Sequence, residues 1–133
     1  MKPSVLLEET DGIAIIVFRV AERPWTTNAE RKGNRWVRAQ KVAECRETFG
    51  WLAKAQRLPR LTNARVTVEL LQKGRLQDTA ACNPYVKAAI DGMVDGGILL
   101  DDTPEHLVSI TFCAPSRAKF DEIAITIEGK IHE

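Results

Sequence analysis

Apolar residues along this chain alternate between two spacings, and that alternation limits the fold more than any single motif does. "IAIIVFRV", Ile13 to Val20, is a β-branched run of strand length that follows a turn signal at Asp11 and Gly12. From Arg35 to about Gln56 the spacing changes: Val42, Cys45, Phe49 and Leu52 recur at helical intervals, with Arg38, Lys41 and Arg46 left for other faces. Pro59 stops that helix, and in "ARVTVELLQ" the residues Val66, Val68 and Leu70 alternate with Thr67 and Glu69, as in a half-buried strand. Asn83 as N-cap and Pro84 at the first helical position predict a second helix to Asp95, stopped by Gly96 and Gly97. "HLVSITFCA" and "EIAITIE" then predict two strands, joined by the basic tip "PSRAKFD" as an antiparallel hairpin. The order β-α-β-α-β-β implies an α+β fold, a single mixed sheet covered by two helices. Residues 21 to 34, with Pro24, Asn28, Gly33 and Asn34, read as an exposed basic loop.

A chain of 133 residues accommodates one compact domain, and 44% hydrophobic with 28% charged residues is an ordinary globular balance. The longest early apolar run, "IAIIVF", is too short for a membrane span and follows the acidic "LEETD", so a cytoplasmic location without a membrane partner is expected. Cys45, Cys82 and Cys113 are odd in number and widely spaced, which predicts buried free thiols and no zinc knuckle. The net charge of +1 conceals an asymmetry. Arg19 to Arg75 holds 14 Lys or Arg against five acids, net +9, whereas Leu76 to Glu133 holds four against ten, net −6. A basic half suited to a polyanion adjoins an acidic half suited to a divalent cation.

The acidic half concentrates its charge in "QDTAACNPYVKAAIDGMVDGGILLDD", residues 77 to 102. Lys87, Asp91 and Asp95 lie four apart and share a helix face, with Asp91 able to pair with Lys87. Asp78 precedes the helix, and Asp101 and Asp102 follow it. Mg²⁺ takes hard oxygen ligands, commonly one or two carboxylates with water and phosphate, and a lysine nearby can stabilise a developing oxyanion. The same spacing also suits ordinary solvated turns and a surface ion pair. With only His106 and His132, a histidine triad or zinc site has little support, and "GGILLDD" lacks the spacing of a phosphate loop. Of the three tryptophans, Trp51 is expected in the core and Trp25 at an exposed contact.

"VKAAIDGMVDGGILLDDTPEHL" resembles the signature of the RusA family of Holliday junction resolvases, and "PWTTNAERKGNRWVRAQKVAECRETFGWLAKAQRLPRLTNARVTVEL" is more loosely similar to that family's basic N-terminal half. The resemblance spans roughly residues 13 to 128. It implies a homodimeric, Mg²⁺-dependent endonuclease that nicks branched DNA, four-way junctions in particular, symmetrically. By position it implies Asp78, Lys87 and Asp102 as catalytic residues. The metal would fall to Asp78 and Asp102, with Asp101 or Asp91 as substitutes. DNA would be gripped by Asn28, Arg31, Lys32, Arg35, Arg38, Lys41 and Arg75. The chain departs from the family where a second acid and an asparagine are usual: Ala80 and Ala81 stand there. A junction-binding protein with impaired cleavage is the alternative this departure implies.

Overall fold

The computed structural model describes Pro3 to His132. Its first element, β1 (Ser4–Thr10), pairs antiparallel with β2 (Ile13–Val20). The two-residue turn between them is Asp11 and Gly12, both at positive φ (52° and 78°), the geometry that matches the twist of paired strands. β1 is almost wholly exposed, lacking a buried alternating face, and so gives no periodic signal in the sequence.

A short helix, α1 (Thr27–Lys32), interrupts the segment expected to be loop. The Thr26 side chain caps it, accepting from the Ala29 N–H at 3.2 Å, while Glu30 in the first turn and Arg31 and Lys32 in the last suit the helix dipole. α1 buries no residue, which is why no apolar stripe marks it. Asn34 then caps α2 (Arg35–Ala55), its Oδ1 accepting from the Trp36 N–H at 2.8 Å. Only the second half of α2 is anchored: Cys45, Phe49, Gly50, Leu52 and Ala53 are buried, whereas the first ten residues contribute none. Trp51 is 65% exposed, not a core residue, because it lies off the Cys45–Phe49–Leu52 stripe.

β3 (Leu61–Gln72) is followed by α3 (Asn83–Asp95), β4 (Leu107–Phe112), the two-residue β5 (Ser116–Arg117) and β6 (Glu122–Ile131). α3 begins one residue before Pro84. Asn83 is inside it, and Cys82 stands at the cap position without a side-chain cap bond, so Asn83 is not the N-cap. The sheet is single and mixed, in the order β1-β2-β6-β3-β4, and the fold is α+β.

β4 and β6 do not form a hairpin. β4 runs parallel to β3 along its outer edge, β5 continues that edge at Leu71 and Gln72, and β6 returns antiparallel between β2 and β3. The burial of each strand explains the arrangement. Ile123, Ala124, Ile125 and Ile127 of β6 are buried, a run that suits a central strand, while β4 alternates between half-buried and exposed. The parallel β3–β4 pair requires a long crossover, and α3 supplies it.

The buried positions of the central strands alternate, Ala14, Ile16, Phe18 and Val20 in β2 and Ala64, Val66, Val68 and Leu70 in β3, so one sheet face meets the helices. There Phe18 touches Phe49 at 5.2 Å between ring centroids, and Phe49 meets Tyr85 edge-on at 6.3 Å. α2 and α3 pack along a seam of glycines. Gly50, Gly92 and Gly96 sit where an added Cβ would press on the neighbouring helix. Across one end of this seam Arg46 of α2 holds Asp95 of α3 through two bonds of 2.5 and 2.9 Å.

Candidate active site and nucleic-acid interface

α3 buries Tyr85, Val86, Ala88, Ala89, Ile90 and Met93, which leaves Lys87 and Asp91 on its outer side. The i, i+4 spacing places the Lys87 Nζ 3.2 Å from Asp91 Oδ1. The same ammonium also donates to Asp102 Oδ2, carried on the loop after α3. One cation thus gathers two carboxylates that are 11 positions apart in sequence, at a point open to solvent. The bond from Lys87 is the main cause holding the Asp102 carboxyl below the usual range, and the reciprocal bond to Asp102 is the main one raising Lys87. Both remain charged at neutral pH.

The remaining aspartates separate. Asp101 turns back on its own loop, accepting from the Thr103 N–H at 2.9 Å and from the Thr103 hydroxyl, and these bonds lower its pKa. That is a local turn motif, which leaves Asp102, not Asp101, facing Lys87. Asp95 belongs to the Arg46 clamp. Asp78 is exposed in the loop before α3, and its carbonyl accepts from the Ala81 N–H at 3.0 Å. It is Asp91, rather than Asp78, that the ion pairs bring beside Asp102.

Ala80 is exposed and Ala81 half-buried. Ala81 ties this loop to the basic segment: its carbonyl accepts from the Thr27 N–H at 2.9 Å. α1 therefore lies against the approach to α3. Asn28, Arg31, Lys32 and Arg35 are exposed on α1 and the start of α2, as is Lys41 further along α2. Arg38 is half-buried and 4.0 Å from Glu30, a weak pairing. Arg75 is exposed on the β3–α3 loop, where its carbonyl is bound by the Arg23 guanidinium. Arg23 also holds the Lys73 carbonyl at 3.1 Å and lies 3.5 Å from Asp121. The basic residues expected for polyanion contact thus occupy α1, early α2 and the loop leading to the acidic cluster.

Among the described residues no group of three His, Cys, Asp or Glu converges to hold a metal ion. Asp91 and Asp102 are nevertheless hard oxygen donors directed at one exposed point, and two carboxylates completed by water and phosphate oxygens are what Mg²⁺ commonly takes. That shared point is the Lys87 ammonium, so a Mg²⁺ ion would take Asp91 and Asp102 as ligands only in place of that cation. No helix of the described residues is long and apolar enough to cross a membrane.

A second polar constellation is not legible in the sequence. The Tyr85 hydroxyl donates to Glu22 Oε1 at 2.5 Å, across 63 residues, and Trp25 stacks obliquely on Tyr85 with centroids 5.1 Å apart. Trp25 is therefore half-buried, not an exposed contact. Neither Glu22 nor Tyr85 sits in a recognisable motif, and only the packing of the β2–α1 loop on α3 brings them together. No protein-family model matches this chain, and no curated protein matches it either.

Proposed function

We propose that this protein is a RusA-like endonuclease that binds branched DNA, four-way junctions included, and hydrolyses a phosphodiester at the Lys87–Asp91–Asp102 cluster. The observation that carries the reading is the convergence of two carboxylates on one lysine, exposed on the helix whose approach abuts the basic α1. Phosphates gripped by Arg31, Lys32, Arg35, Arg38, Lys41 and Arg75 would be held by charge without regard to sequence. Asp91 and Asp102 would hold a Mg²⁺ ion, which would supply charge neutralisation and an activated water.

The chain's own residues do the positioning. Asp102 is kept ionised by Lys87, so its oxygens stay available as acceptors over the whole neutral range. Lys87 stays protonated, and its exposed stem lets the ammonium leave a carboxylate for a phosphate oxygen as negative charge develops there. A homodimer would present two such clusters to opposed strands.

A second reading is supported by the small donor set: a junction-binding protein that does not cleave. Among the described residues no third acid joins Asp91 and Asp102, and Ala80 and Ala81 contribute no ligand. Incubation of a synthetic four-way junction with the protein and Mg²⁺ separates the two. Nicking that Lys87→Ala and Asp102→Asn each reduce by about 100-fold or more, on the order of an electrostatic catalytic contribution, supports the nuclease. Binding without nicking, unchanged by Asp102→Asn, leaves only the binding reading, and the lack of salt-dependent binding to any DNA removes both.

A further inference from the structure

A cavity of about 480 Å³ opens between the β2–α1 loop, α1, α2 and Tyr85 of α3. Its size falls in the range of about 300–1,000 Å³ typical of small-ligand sites. Its walls combine Trp25 and Tyr85 with Glu22, Glu44 and Lys41, and Ala29 of α1 lies on its rim. The Trp25 indole Nε1 is buried and has no hydrogen-bond partner among the described residues. That atom has no surface open to the cavity, so what Trp25 offers a ligand there is its ring and not its N–H.

The lining is equipped to bind rather than to react. Burial pushes the Cys45 thiol up to about 12 and raises the Tyr85 phenol further, so neither is a nucleophile at neutral pH. Two carboxylates disfavour a bare anion inside and call for a ligand with N–H donors. The aromatic wall calls for a flat, partly apolar body, and Lys41 suits an attached anionic group. A nucleobase joined to its phosphate meets these three requirements, since a flat ring carries N–H donors on its edge and a phosphate beside it.

The location agrees. Ala29 belongs to the helix that carries Arg31 and Lys32, so DNA lying on that basic surface passes the cavity mouth. We infer that this cavity receives one unstacked base of the bound DNA, with Trp25 against its ring, Glu22 and Glu44 meeting its edge and Lys41 its phosphate. The inference rests on the DNA-binding reading above. It assigns to Trp25 and Glu22 a role outside the acidic cluster: fixing the position of the strand rather than taking part in bond cleavage.

The test uses the whole protein and a labelled four-way junction in which each nucleotide around the crossing is replaced in turn by an abasic site. Anisotropy titrations are run at low and at physiological salt. Wild-type protein is expected to lose about tenfold in affinity at one or two positions, the order of a single base-stacking contact, and little elsewhere. Ala29→Trp, at an exposed helical position, fills the mouth. It should bind intact and abasic junctions alike while keeping the wild-type salt dependence.

If salt-dependent binding persists but no abasic position matters, the cavity inference is overturned and the DNA-binding reading survives. Equal abasic discrimination by wild type and Ala29→Trp also overturns the inference. If no DNA binds at any salt, both fall together.

Discussion

Gly92 occupies the middle of α3, where an alanine would ordinarily help: in a helix interior Ala is favoured over Gly by about 1 kcal/mol. At this position the expectation reverses. An added Cβ would stand 2.3 Å from the Arg46 carbonyl oxygen and 2.9 Å from the Phe49 Cβ, and the first of these is backbone that no rotamer change can clear. α2 and α3 would have to separate, loosening the contacts of Phe49 with Phe18 and Tyr85. Overpacking of this kind costs about 1–3 kcal/mol, and the backbone clash puts Gly92 at the upper end. Subtracting the propensity gain leaves a loss of about 2 kcal/mol, or roughly 6–10 °C in Tm for a domain of this size. Thermal unfolding followed by circular dichroism measures it. Ala39→Gly, at an exposed site in α2, is the control and should lose only about 1 kcal/mol through propensity. A Gly92→Ala variant as stable as the parent, or more stable, would refute the close approach of the two helices and the packing argument with it.

Three further outcomes are expected. The Asp102 carboxyl, held low by its bond from Lys87, should titrate below the ordinary carboxylate range by NMR and move up in Lys87→Ala; an unchanged titration would mean the pair does not persist in solution. Because its folded pKa is lowered, Asp102 contributes stability above the carboxylate range that is lost as pH falls through the lowered value. Lys87, whose folded pKa is raised, contributes stability below the usual lysine range that is lost as pH rises through the raised value. Arg31→Ala and Lys32→Ala should each reduce the slope of log affinity against log salt by about 1, since each removes one phosphate contact, and unchanged slopes would move the interface elsewhere. Thiol titration at mildly alkaline pH should find only Cys113 reactive in the native protein and all three cysteines after unfolding, because burial raises Cys45 to about 12 and Cys82 to about 11.

Elements stabilised by local periodicity are legible in the amino-acid sequence. β2, α2 and α3 begin and end within about a residue of where Asp11-Gly12, Arg35, Asn83-Pro84 and Gly96 put them, because caps, breakers and apolar stripes act within a few residues. The Lys87–Asp91 pair follows from helical spacing alone. Exposed elements escape for the converse reason: β1 and α1 bury almost nothing, so no pattern is imposed on their residues. Trp51 and Trp25 exchange their expected environments because a helix stripe and a loop's packing partner are settled by what lies opposite, which neither residue's neighbours reveal.

Local sequence is thus enough to specify the periodic elements, the α+β class and the charge division between a basic front half and an acidic back half. Three features arise only in the packed chain: β6 enters the centre of the sheet instead of pairing with β4, Asp102 and not Asp101 meets Lys87, and Glu22 reaches Tyr85. Capping bonds and hydrophobic periodicity act between residues a few positions apart and leave their trace in the local sequence. Strand partners and site geometry depend on which distant surfaces exclude water together, and that is a property of the packed chain as a whole.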